Sequence, residues 1–175
     1  MPNMVRLWFG NRKTTATWRQ LDKTGQYLYL VGAFVTSWAL MEMSMDYIAA
    51  LIFLRFPAAS AIHNELPRSL DQKIDFFSRA FAELPELSEF TADSAGLTAR
   101  IVAMKDSRHD LVHGRVDSVM TGRARYVRLR LSGTRVHHAT RYYTRRQIEA
   151  LVSDANQLQY DLSLLSQRFR IGFNP

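Results

Sequence analysis

The chain has no cysteine. That absence removes disulfides, thiolate zinc sites and a cysteine nucleophile, and it fits a reducing cytoplasm. It also lacks a long uncharged run. The longest apolar candidate, Gln26–Met41, falls short of the ~20 residues a membrane span needs. Glu42 and Asp46 then interrupt it at a high cost in lipid. A secretory signal is not expected either, because no apolar run directly follows the cations Arg6, Arg12 and Lys13. Prolines number only five, and the inner ones, Pro57, Pro67 and Pro85, read as helix stops and loop marks. Acids are nearly missing from one region. Between Arg115 and Arg146 stand nine arginines and one acid, Asp117.

What is present is an ordinary globular composition, 47% hydrophobic over 175 residues, enough for one domain with a real core. The net charge is +7. The Arg115–Arg146 segment alone carries +8, which leaves −1 for the rest. A local excess of this kind is what a polyanion senses.

Along the chain, residues 1–16 lack a period and read as an arm, 17–170 as a single helical domain with a β insert at 115–143, and 171–175 as a tail. From about Thr17 to Phe56 apolar residues recur every three or four positions, which predicts a long helix, unbroken or interrupted near Gly25 or Gly32. Ser69 and Gln72 form a capping box ahead of a helix ending at Pro85, with Leu70, Ile74, Phe77 and Phe81 as its stripe. A further helix starts near Thr91–Ser94. Leu97, Ile101, Met104, Arg108 and Leu111 share one of its faces, so Arg108 fills a slot where an apolar residue is expected. A guanidinium there must be paired or face a cleft. Gly114 terminates that helix. The period then changes to two. Val127, Leu129 and Leu131 alternate with Tyr126, Arg128 and Arg130, a half-buried strand with the basic residues outward. Thr121-Gly122 and Ser132-Gly133 mark turns, so Arg115–Met120, Tyr126–Leu131 and Arg135–Tyr143 make a small antiparallel hairpin or meander. Thr144 and Gln147 cap a last helix, with Ile148, Leu151, Ala155, Leu158, Leu162 and Leu165 as its stripe, ending near Phe169. The fold class is mainly α, four to five helices with this insert before the last.

The chemistry concentrates in Arg108–Gly114, Arg-His-Asp-Leu-Val-His-Gly. Arg108 is a permanent cation suited to phosphate oxygens. His109 and His113 carry imidazoles that ordinarily titrate near neutral pH. Five residues of ideal helix turn about 500°, so Arg108 and His113 point about 140° apart. They converge if the helix ends or distorts at Val112–Gly114, or if a second copy supplies one of them. Three readings stand side by side. The first is phosphodiester cleavage by Arg108 and His113. The second is a metal site of Asp106, His109 and His113 on one helical face. The third is an ion pair of Arg108 with Glu42 or Asp46 that only locks helices together.

This constellation resembles HEPN domains, the small helical domains named for higher eukaryotes and prokaryotes nucleotide-binding. Their hallmark is an arginine, a following polar residue and a histidine a few positions on, near a helix end. Here those are Arg108, His109 and His113. The long first helix with Trp38 and Glu42 and the Leu66-Pro67-Arg68-Ser69 helix start are similar to uncharacterised bacterial members. The resemblance implies a helical bundle paired as a homodimer, with the two motifs near one cleft. It further implies a metal-independent endoribonuclease of the toxin–antitoxin or phage-defence kind, cytoplasmic and needing no cofactor, with an antitoxin protein as a partner. His113 would then handle a proton, Arg108 would hold the scissile phosphate, and His109 would take the polar position. Glu42 and Asp46 would support them. Other members of the family are inactive, and imply instead a non-catalytic module that binds nucleic acid or nucleotide, or a structural dimerisation domain.

The arginines of the insert, Arg115, Arg128, Arg130, Arg135 and Arg141, with Tyr126, Tyr142, Tyr143 and His137 nearby, are candidates for tracking an RNA backbone and stacking bases. The competing reading is a solvated arginine face that protects a sheet edge.

Overall fold

Helix α1 begins where Asp22 caps it, the carboxylate Oδ1 accepting the Gly25 amide at 2.7 Å, and it runs unbroken over Lys23–Arg55. The computed structural model describes residues 20–120 and 122–172, except the side chains of 130–132 and 169–172. The arm at 1–16 and the end of the tail lie outside the described residues. Gly25 sits in the first turn of α1 and Gly32 within it, and neither breaks it. Its inward face, from Tyr27 through Phe34, Trp38, Met41, Met45 and Ile48 to Ile52, is buried. By length and composition α1 is apolar enough to cross a membrane, which the shorter stretch Gln26–Met41 is not. The helix runs on past Glu42 and Asp46, which meet the cations Arg108 and Lys73 respectively.

Pro57 ends α1, and one short helix, α2 (Ala59–Ile62), forms inside the expected loop. Helix α3 (Leu70–Glu83) starts on the predicted capping box. Ser69 Oγ accepts the Gln72 amide at 3.2 Å, and Gln72 Oε1 accepts the Ser69 amide at 3.0 Å. Its buried face is Lys73, Phe76, Phe77, Ala80 and Phe81, turned from the predicted stripe so that Leu70 and Ile74 lie at its margin. Lys73 tolerates that place because its Nζ meets Asp46 Oδ1 at 2.7 Å. After a 3₁₀ turn, Pro85–Phe90, helix α4 spans Thr91–His113 and buries Leu97, Ile101, Met104 and Leu111 as the periodicity predicts.

Three strands follow, β1 (Arg115–Met120), β2 (Arg123–Ser132) and β3 (Arg135–Thr144), in an antiparallel meander of order β1-β2-β3. Gly122, in the first turn, has φ +81°, a backbone shape that side chains disfavour. Its carbonyl accepts the Tyr27 hydroxyl at 2.6 Å, which ties the turn to α1. Helix α5 (Arg145–Gly172) is capped by Thr144 and Gln147 as expected and ends three residues beyond Phe169. Its stripe of Ile148, Ala155, Leu158, Leu162 and Leu165 is buried, and it packs most extensively on α1. All elements except α2's exposed side and the outer face of the sheet contribute to one hydrophobic cluster.

The sheet presents the opposite face from the one predicted. Ala124, Tyr126 and Arg128 turn inward and are buried, whereas Leu129 and Val136 are 61% and 58% exposed. Alternation fixes which residues share a face, but not which face meets the core. Two contacts decide it here. The Tyr126 ring packs edge-on against Tyr143, with centroids 5.5 Å apart. The Arg128 guanidinium meets Asp110 on α4, Nη2 to Oδ1 at 3.4 Å.

Candidate active site

Helix α4 carries the motif to its last turn and stops abruptly. The Gly114 amide donates to the Asp110 carbonyl at 2.8 Å while Gly114 itself is extended, φ −83° and ψ 147°. A Cβ at Gly114 would lie 2.2 Å from that same carbonyl oxygen. Glycine is required here for close approach, not for the left-handed conformation that usually explains a glycine after a helix. The chain therefore leaves α4 directly after His113 and enters β1.

At this helix end Arg108 and His113 meet within one chain. Arg108 Nη1 lies 3.1 Å from His113 Nε2. The 140° between them in an ideal helix is closed by the length of the arginine side chain and by His113 being the final helical residue. A guanidinium only donates, so a hydrogen bond here makes Nε2 the acceptor. On its other side Arg108 Nη2 stands 3.6 Å from Glu42 Oε1 on α1. The same Glu42 oxygen accepts the Trp38 indole N–H at 2.5 Å. Glu42 is thus aimed by one neighbour at the other. The Arg108 side chain is 23% exposed, and its Nε is buried without a hydrogen-bond partner among the described residues. His109 is exposed, its ring edge-on to His113 with centroids 4.9 Å apart.

The other nominated residues separate from this group. Asp46 pairs with Lys73, so of the two supporting carboxylates only Glu42 serves Arg108. Asp106 is exposed. Among the described residues no three histidine, aspartate or glutamate side chains gather as metal ligands. Of the arginines proposed for RNA, Arg128 is drawn inside: its side chain is only 7% exposed, against Asp110. Arg141 points toward the same carboxylate at 3.8 Å but keeps most of its surface. Arg115 is exposed and pairs with Asp117 at 3.1 Å. Arg135 is exposed near the hairpin tip, and Arg130 lies opposite His137 in β2.

Asp110 is the residue whose role the sequence did not disclose. It stands inside the motif, is buried, and is met by Arg128, Arg141 and the Tyr143 hydroxyl, which donates to Oδ2 at 3.2 Å. It therefore clamps the sheet onto the helix that carries Arg108 and His113. The only advance signal was a carboxylate three residues before His113, in a segment otherwise basic. Burial raises the Tyr143 hydroxyl above its usual range, which keeps it a donor to Asp110. No family model, no curated protein and no solved structure matches this chain.

Proposed function

We propose that the chain is a metal-independent endoribonuclease of HEPN type, acting in the cytoplasm at Arg108 and His113. The observation that carries this reading is the 3.1 Å contact between a fixed cation and an imidazole nitrogen at a partly open helix end. In the resting state the guanidinium occupies Nε2. An RNA phosphate takes over the donors of Arg108 and leaves Nε2 free. That nitrogen then accepts the proton of the ribose 2′-hydroxyl as the 2′ oxygen attacks phosphorus. The bond to the 5′ oxygen breaks, giving a 2′,3′-cyclic phosphate and a 5′-hydroxyl. Arg108 offsets the charge that builds on the phosphoryl oxygens. His109, edge-on to His113, is the second ring able to pass a proton, here to the leaving oxygen.

The homodimer that belongs to this reading has a face to use. Leu28, Val35, Met43, Tyr47 and Leu54 lie on the solvent side of α1 and are exposed. A toxin or phage-defence role with an antitoxin protein as partner is the setting that the resemblance implies.

A second reading has its own observation. Trp38, Glu42 and Arg108 form a linked lock between α1 and α4, which a non-catalytic nucleic-acid-binding or dimerisation module would also need. Cleavage of RNA by purified protein in EDTA separates the two. The nuclease reading expects cleavage to persist, and Arg108→Ala and His113→Ala each to lower it by about 10²–10⁴-fold with the fold intact by circular dichroism. Absence of cleavage by the parent protein leaves the module.

A further inference from the structure

The outward face of the sheet holds an open hollow of about 390 Å³ lined by Ser118, Met120, Arg123, Arg125 and Tyr142. The strand register places all five on one side: Ser118 opposite Arg125, Met120 opposite Arg123, and Arg125 opposite Tyr142. This is the face that the inverted sheet turns to solvent, and none of these residues was a candidate from alternation alone except Tyr142. Two large side chains stand in water here, Met120 at 69% and Tyr142 at 58% exposure. Cations surround them. A bulge between Val116 and Ser118 sets Asp117 between Arg115 and Arg125, at 3.1 and 3.2 Å. One carboxylate thus meets two guanidiniums, and Arg123 adds a third, so the face keeps a net positive charge.

We propose that this hollow is a subsite for one nucleotide of single-stranded RNA, its base stacked on the Tyr142 ring and its phosphates held by Arg123 and Arg125. The proposal rests on RNA being the ligand of the candidate active site, and it extends that site along β1. Ser118 and Met120 lie five and seven residues past His113, about 16–23 Å along an extended strand. A few nucleotides cross that distance. A flat ring opposite Arg125, with Arg123 two residues along the same face, matches a base and its phosphates. An acidic peptide would use the charge but has no counterpart for an isolated ring, and the apolar pair Leu129 and Val136 that a peptide would favour lies toward the other end of the sheet.

The test uses the full chain carrying His113→Ala, so that the probe survives, and a short fluorescent oligoadenylate titrated at several salt concentrations. Tyr142→Ala is expected to weaken binding about tenfold with little change in salt dependence, and Tyr142→Phe to restore it. Arg123→Ala is expected to lower the slope of log affinity against log salt by about 0.7, the value for one single-strand phosphate. Wild-type affinity in Tyr142→Ala overturns the subsite. So does a polyglutamate peptide that binds through Tyr142 while the RNA ignores it, and so does a parent protein that binds no RNA. Binding as described without any cleavage by the unsubstituted chain would sink the nuclease reading alone. Cleavage unchanged in kcat and KM by Tyr142→Ala would sink the subsite alone.

Discussion

Tyr126 carries one of the few buried polar side-chain atoms without a hydrogen-bond partner among the described residues. Its ring is 1% exposed and fills the junction of sheet and helices, and the atom is its hydroxyl. A buried unpaired hydroxyl costs about 1–3 kcal/mol, so Tyr126→Phe is expected to raise stability by about 1 kcal/mol in urea unfolding at neutral pH. The same burial pushes its ionisation far above the usual value. In the unfolded chain the phenol ionises near pH 10, while in the folded protein it stays protonated. Its contribution is therefore whole below about pH 10 and declines as pH climbs toward the folded value, because the unfolded state is then the one that loses the proton. Unfolding followed from pH 8 to 11 should show a shallower alkaline loss in Tyr126→Phe. Arg128 gives the complementary lesson. Alternation put it outside with Arg130, but a charge can lie inside when a carboxylate waits for it, and Asp110 does.

At the scale of elements, caps and stops were legible because they are local. Ser69, Gln72, Thr144, Gln147, Pro57 and Pro85 act on backbone groups within a turn of themselves, and each does what its position predicts. The junction from α4 to β1 was legible only as a stop. That Gly114 is needed for space follows from the distance to the Asp110 carbonyl, a tertiary quantity. Gly114→Ala is expected to destabilise the protein by about 1–3 kcal/mol and to loosen His113 from Arg108, read as a lower urea midpoint together with lost cleavage. Gly32→Ala, in mid-helix with open space around the new methyl, is the contrasting case and should stabilise by about 1 kcal/mol. Opposite signs for two glycine-to-alanine changes separate a packing requirement from helix propensity.

For the whole molecule, the question is how many chains the proposed active site would need. The sequence left two routes, a distorted helix end or a second copy. Arg108 and His113 in contact within one chain favour the first. Mixing Arg108→Ala protein with His113→Ala protein, then unfolding and refolding them together, should therefore restore no cleavage. Each mixed pair would hold two sites, both lacking one group. Recovery toward about a quarter of wild-type activity, one intact site in each of the half of the pairs that are mixed, would mean that the two groups act across a dimer. The sequence by itself determined the long helices, the caps and stops named above, the meander and the crowding of arginine in one segment, because periodicity, capping and charge are properties of neighbours in the chain; it did not show the short helix α2 or settle whether α1 is unbroken. Only the tertiary structure decided which face of the sheet is buried, which carboxylate serves Arg108, and which arginines remain for a ligand. Those outcomes depend on groups far apart in sequence, Glu42 with Arg108 and Asp110 with Arg128, and a charge is settled by whichever partner the fold brings within reach.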